Sequence, residues 1–408
     1  MKKSLLATAL AAVIFVPAAS AIEVYKDDQN AVEIGGFMDA RVIDTHGATE
    51  VVNGASRINF GFTRELGEGW KAFTKIEWGV NPFGNSEIVY SSESNFESQG
   101  GDFLNNRLGY VGIAHDTYGS LTLGKQWGAW YDVVYNTNYG FVWDGNTAGV
   151  YTYNKADGAV NGVGRGDKTV QYRNEYGDFS FAVQTQLKND TFYTCEDDPT
   201  GQLSSDCQDR WDQGIDSEEV DYGHTYGLAV TYKVTDKLTL TAGANRGEFE
   251  VTFRNTGSEI TATDLIYGAG ITWGDFDADG FYAAANFNKN ENHDTDNLGR
   301  LIKDSYGVET LFSYKFDNGF RPFISYNILD AGDNYVTQPN NVDPDATFKR
   351  QFVVAGLHYV WNSNTVLYIE GRKDFSEFDA VTVDGISDAE AMAADEEDGL
   401  AVGIRYSL

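Results

Sequence analysis

The residues best equipped for chemistry are few and widely scattered. Asp275-Phe276-Asp277-Ala278-Asp279-Gly280 matches the first half of a calcium loop, with oxygen donors alternating ahead of a glycine. The twelfth position, which should hold a bidentate glutamate, is Asn286, and strand-like runs flank the motif where helices belong. It therefore reads as a turn, and no metal is expected. His46, His115, His224, His293 and His358 form no His-Glu-x-x-His pattern. There is no Gly-x-Ser-x-Gly elbow and no nucleotide fingerprint, so neither an enzyme nor a cofactor is expected. Cys195 and Cys207 lie in a polar, acidic segment. A disulfide closing a short surface loop is the expectation in an oxidising compartment. Without a nearby His or a second Cys pair, two thiols do not make a zinc site.

More is carried by charges set into alternating runs. Ile58, Phe60 and Phe62 share one face, which puts Arg57 on the other; Leu108 and Tyr110 are read the same way against Arg107. Lys75 shares the face of Glu77. The elements that must position these charges repeat one device, about ten residues of alternating polarity followed by turn residues. Sixteen such segments lie near 31–44, 55–66, 70–80, 104–115, 119–127, 165–175, 178–189, 222–234, 237–247, 264–273, 280–289, 304–316, 320–329, 348–361, 365–375 and 398–408. Their connections alternate in length. Seven are short: 66–69, 116–119, 176–178, 235–237, 274–280, 317–319 and 362–364. Between them fall longer connections, several rich in Asp, Asn and Ser. Short turns on one side and long loops on the other are the layout of a bacterial transmembrane barrel.

Composition agrees. Residues 1–21 read as a secretory signal: Lys2 and Lys3, an apolar run from Leu5 to Val16, then Ala19-Ser20-Ala21 as the cleavage site. That run is too short to span a bilayer as a helix. Residues 22–408 then form one barrel domain. The whole chain has 30 basic and 61 acidic residues, a net −31. Removing the two signal lysines leaves 28 against 61, or −33. A balance so acidic excludes nucleic acid as a partner. With 44 Gly, six Pro and 14% aromatic residues, the chain suits long strands with one apolar face.

One stretch breaks the rhythm. Between the segments ending at Gln126 and starting near Arg165 there are 38 residues, Trp127 to Gly164, with no comparably long alternating run. They include five Tyr, three Trp and one Phe, too aromatic for a disordered linker. This stretch reads as a segment folded into the mouth of the barrel, narrowing it.

Six fragments taken in order resemble the general diffusion porins of Gram-negative outer membranes. They are Glu23-Val24-Tyr25-Lys26-Asp27, Arg57-Ile58-Asn59-Phe60-Gly61, Asn106-Arg107-Leu108-Gly109-Tyr110-Val111-Gly112, Gly119-Ser120-Leu121-Thr122-Leu123-Gly124-Lys125, Val170-Gln171-Tyr172-Arg173-Asn174 and the final strand. The resemblance covers essentially all of 22–408. It implies an all-β, sixteen-stranded antiparallel transmembrane barrel, assembled as a homotrimer, whose third extracellular loop folds inward. In such proteins a ladder of basic wall residues faces acids on that loop. Arg57, Arg107 and Arg165 match the ladder, Glu77 matches a wall carboxylate, and Lys75 joins them. Placing Arg165 in the lumen makes the tripeptide Arg165-Gly166-Asp167 a chance match to an adhesive motif. At mid-membrane the lipid face would cost such a charge roughly 2–4 kcal/mol.

The acidic side departs from the family. Enterobacterial members carry a Pro-Glu-Phe-Gly-Gly-Asp type motif at the loop tip. This chain has Asn138-Tyr139-Gly140-Phe141-Val142-Trp143-Asp144-Gly145, leaving Asp144 at the tip and Asp132 nearer the base. Tyr139, Phe141 and Trp143 could form an apolar rim or pin the loop to the wall; pinning is the expectation. Two acidic blocks, 196–221 and 388–398, read either as solvated loop charge or as an outer mouth that concentrates cations. They could also bind divalent ions bridging to lipopolysaccharide. The function expected is passive diffusion of small hydrophilic solutes and ions, with a preference for cations. A substrate-specific channel, and a surface adhesin or structural barrel, are the alternatives.

Overall fold

The computed structural model describes residues 21–45, 47–84, 86, 88, 103–143, 147–150, 160–187, 190–194, 212–213, 217–294, 302–333, 336–337, 341–342, 347–379, 382–383, 386–387 and 398–408. Sixteen long antiparallel strands close into a barrel. In chain order they are β1 (Asn30–Thr45), β2 (Arg57–Gly67), β3 (Trp70–Val80), β4 (Leu104–His115), β5 (Gly119–Trp127), β6 (Arg165–Tyr176), β7 (Phe179–Gln186) and β8 (Glu218–Lys233). They continue with β9 (Leu238–Phe253), β10 (Glu259–Trp273), β11 (Gly280–Glu291), β12 (Asp304–Lys315), β13 (Phe320–Asp333), β14 (Thr347–Val360), β15 (Thr365–Asp374) and β16 (Gly399–Ser407). Each segment read from the sequence corresponds to one of these strands. The seven short connections are the tight turns.

Alternation sets the two faces. Along β16, Leu400, Val402, Ile404 and Tyr406 are exposed while Ala401 is buried. Val111, Ile113, Leu121, Leu123, Leu228, Phe287, Phe312 and Ile324 continue this apolar exterior on other strands. The opposite face carries buried Asp39, Arg41, Glu77, Gln184, Asn245, Asn286, Glu309 and Glu370. Period two thus sorts lipid-soluble side chains outward and polar ones inward. Closure falls on β1. Its first half pairs with β2, from Asn30 opposite Arg64 to Phe37 opposite Arg57. Its second half pairs with β16, from Phe37 opposite Ser407 to Thr45 opposite Gly399. Two short strands cover what is left of its edges: Ile22–Lys26, with Ile22 opposite Ile34, and Ala48–Asn53, with Asn53 opposite Ala40.

Three departures from the sequence reading matter. The β8, β9 and β10 strands run further than expected, to Glu218, Phe253 and Glu259. Their added residues include Glu248, Glu250 and Glu259, whose charges read as loop, yet Val220, Phe249 and Val251 pack inside with Tyr222. The inner face of β4 is also not the one expected. Leu108 and Tyr110 pair with Glu77 and Lys75 and share their inward face, while Val111 and Ile113 are exposed. The register shifts between Glu77 and Trp78, whose partners are Leu108 and Asn106, so Arg107 is the extra residue of a bulge. A second irregularity, between Gly124 and Gln126, lies just before the chain leaves the wall. Gly124 has φ +137, and a Cβ there would lie 2.2 Å from the Gly109 carbonyl oxygen, so only glycine fits.

Candidate functional site

The three ladder arginines and the wall carboxylate Glu77 meet on the inner face. Arg107 is 1% exposed and its Nε lies 3.0 Å from Glu77 Oε1. Arg57 and Arg165 lie close enough for their charges to act on the same carboxylate. Lys75 stands beside them, its Nζ donating to Asn59 Oδ1 at 2.6 Å. Arg57 donates from Nε to the Ala55 carbonyl and lies 4.6 Å from the Phe37 ring. Arg165, fully buried, sits 5.2 Å from the Trp127 ring. Asp132 goes elsewhere. It lies in the one-turn helix Tyr131–Val134, buried, and is ion-paired to Arg173 on β6. Asp144, Cys195 and Cys207 lie outside the described residues, as does most of both acidic blocks.

The connection from β5 to β6 meets the inner wall strand by strand. The Ala129 amide donates to Gln184 on β7, and Thr241 on β9 donates to the Val133 carbonyl. Thr137 donates to Glu309 on β12 at 2.7 Å, and Tyr282 on β11 donates to the Asn136 carbonyl at 2.7 Å. Ala129, Trp130, Val133 and Val134 form the apolar side of this leg, against Ala182, Ala229 and Ile266. Trp127 and Tyr131, stacked with centroids 4.0 Å apart, pack against the same cluster.

Among the described residues of the segment, Phe141 is the most heavily held. Its amide and that of Val142 donate to the two oxygens of Glu370 on β15, at 2.8 and 2.9 Å. Its carbonyl accepts from Arg41 at 2.6 Å. Its ring stacks on His358 at 4.3 Å and lies 3.8 Å from the Arg405 guanidinium. Beneath it Asp39, fully buried, gathers Arg41, Arg405 at 2.8 Å and the Tyr368 hydroxyl at 2.6 Å. Tyr139 stacks on Phe276, and Trp143, 2% exposed, joins Ile43, Val52, Leu311 and Phe352. All three aromatics expected to pin or rim the loop therefore pack on the wall.

The chain then comes back nearer the long-loop end. The Thr147 amide donates to Glu309 at 3.1 Å, and the Ala148 carbonyl accepts from Trp130 Nε1 at 2.8 Å, tying the two legs together. His293, just past β11, reaches the Gly149 carbonyl with Nε2 at 2.7 Å and Asp264 with Nδ1 at 2.5 Å. Tyr222 and Asn161 complete the shell of Asp264. Burial alone would lower the His293 pKa, but the Asp264 carboxylate outweighs it and raises the value to about 9. With both ring nitrogens donating, the imidazolium satisfies two acceptors at once.

Sequence reasoning missed Asp39, Arg41, Glu309, His358, Glu370 and Arg405. Their inward direction was legible, since each alternates with outward apolar neighbours. Their partners were not, because Thr147 and Glu309 are 162 residues apart and Phe141 and Glu370 are 229 apart.

Comparison with known proteins agrees with this architecture. The profile of the Gram-negative porin family matches residues 7–379. Outer membrane protein F of Serratia marcescens is 26% identical over 412 residues, covering 95% of this chain and 97% of that protein. Among solved structures, Salmonella typhi OmpF in complex with daunomycin superposes with a TM-score of 0.64 at 20% identity, over 95% of this chain and 100% of that one. An anion-selective porin from Comamonas acidovorans has a TM-score of 0.59 at 16% identity, over 93% and 100%. The chain belongs to the Gram-negative porin family: it is an outer-membrane β-barrel that forms a channel for the passive diffusion of small hydrophilic solutes.

Proposed function

We propose that this porin is a cation-preferring general diffusion channel, constricted by an inward-folded third extracellular loop, residues 128–164. The observation that carries the reading is the double carboxylate clamp. Glu370 accepts from the amides of Phe141 and Val142, and Glu309 accepts from Thr147, on strands far from where the segment leaves the wall. In this reading Arg57, Lys75, Glu77, Arg107 and Arg165 line one side of the narrowest point, with Asp132 and Asp144 on the loop. Many wall cations already have a carboxylate: Arg107 has Glu77, Arg41 and Arg405 share Asp39, and Arg173 has Asp132. The ladder's field is correspondingly reduced, and the net charge, 28 basic against 61 acidic residues or −33 without the signal, governs the approach of ions. The fold alone does not set the sign of selectivity, since the Comamonas acidovorans neighbour is anion-selective.

A sugar-specific channel would need ring faces open to the lumen. Trp127 and Tyr131 instead lie 17° from parallel against one another, with Arg165 also near the Trp127 ring. The barrel is taken to work as a homotrimer, to be released from its signal after Ala21, to close an outer loop through Cys195 and Cys207, and to hold lipopolysaccharide through divalent ions at its acidic mouth. Single-channel conductance with reversal potential in a planar bilayer tests the reading. Absence of conductance would favour a structural barrel or adhesin, and a saturable current with one solute class would favour a specific channel.

A further inference from the structure

The turn between β10 and β11, residues 274–279, is the longest of the seven tight connections, and it does not stay at the rim. Phe276 is 5% exposed, and its ring lies parallel to that of Tyr139, with centroids 4.1 Å apart and planes 9° apart. The Arg321 guanidinium, on β13, sits 3.9 Å from the same ring. Arg321 also donates to the Phe276 carbonyl at 3.2 Å and to Asp277 Oδ1 at 3.0 Å. Tyr282 meets both Tyr139 and Phe276 edge-on, and its hydroxyl holds the Asn136 carbonyl. The turn itself is braced. The Asp277 amide donates to Asp275, and Lys315 Nζ donates to the Asp277 carbonyl and to Asp279, both at 2.8 Å. A calcium-like motif thus has its carboxylates taken up by the turn's own amide, Lys315 and Arg321.

We propose that Phe276 is a positioning residue of the channel: a lock carried on the turn side of the barrel that fixes the tip of the constricting segment from below. The inference rests on the reading of residues 128–164 as the constriction. The clamps on Glu309 and Glu370 are single wall side chains, and each can let go by one rotamer change. Phe276 is inserted between Tyr139 and Arg321 by a turn tied at three points, so moving the tip requires separating a stacked ring pair whose other member cannot follow. A flat ring, not apolar bulk, is what parallel stacking and a guanidinium contact need.

The test uses the full-length protein reconstituted in planar bilayers, comparing Phe276→Ala, Phe276→Leu and Phe276→Tyr with Glu370→Ala. The readouts are open-channel current noise and the fraction of time in substates, with heat-dissociation of the folded barrel as the check on folding. Loss of one stacked aromatic contact should raise substate occupancy roughly two- to tenfold. The lock predicts that rise for Ala and Leu and wild-type behaviour for Tyr, with barrel dissociation unchanged across the three. Wild-type noise in Phe276→Ala alongside elevated noise in Glu370→Ala would overturn the lock and leave the constriction standing. Wild-type behaviour of Phe276→Leu would also overturn it, since bulk and not stacking would then suffice. Silence of every variant, Glu370→Ala included, would remove the constriction reading and the lock with it.

Discussion

Arg107 reaches Glu77 from a bulge. Its Nε lies 3.0 Å from the carboxylate, although its chain neighbour Leu108, not Arg107, is the register partner of Glu77. The extra residue re-aims a side chain that strict alternation would have sent the other way. Both members are almost fully buried, so the pair is not two charges resting in open water. Arg107→Ala should therefore destabilise the barrel by about 3–5 kcal/mol, mostly by leaving Glu77 uncompensated. The double variant Arg107→Ala/Glu77→Gln should recover much of that loss. A denaturant or thermal double-mutant cycle measures it, and a loss that is additive across the two sites would show that the pair is not coupled.

The imidazole of His293 sets a pH window. Its folded pKa of about 9 lies above the ordinary value near 6.5, so the contribution of its charge is complete below about pH 6.5. It is lost as pH rises through about 9. Above that, either the Gly149 carbonyl or Asp264 loses its donor. Current noise should rise between about pH 7 and 10 in the wild type, and His293→Gln should show the high-pH behaviour throughout. A flat profile in the wild type would mean that the Gly149 contact does not hold the returning leg.

Selectivity should depend on salt. The Debye length falls from roughly 30 Å at 0.01 M to 3 Å at 1 M, so charge at the mouth acts at low salt and fades at high salt. Cation preference, read as reversal potential across a fixed KCl ratio at two mean concentrations, should weaken markedly at the higher one. Anion preference, or a ratio indifferent to salt, would assign control to Arg57, Arg107 and Arg165.

Association can be checked independently of transport. Light scattering on the detergent-solubilised protein should give three copies per particle, and heating should convert them to one. A monomer at working concentration would remove the trimer from the proposal.

How much of this was legible follows from where each signal is stored. Strand positions and the seven turns were readable because alternation and turn residues are local; Leu400 to Tyr406 on β16 show it directly. The inward face of Arg57 was readable for the same reason. The bulge at Arg107 was not, because a one-residue shift leaves no mark in the polarity pattern and is fixed only by pairing with β3. Phe276 was hidden differently. Its three aspartates advertise a solvated turn, and nothing local says that the one aromatic among them turns inward to meet Tyr139. The carboxylate clamps were half-readable: their faces follow from alternation, their partners only from the closed wall.

The closing seam has a kinetic consequence. Arg405 on β16 holds Asp39 on β1 across 366 residues, and the two strands pair from Phe37 with Ser407 to Thr45 with Gly399. No ring exists until that pairing forms, so every earlier stage is an open sheet with two bare edges. Contacts of such separation carry the largest loop-closure cost and form slowly. Time spent as an edge-exposed sheet, rather than the stability of the finished ring, is where misassembly would begin.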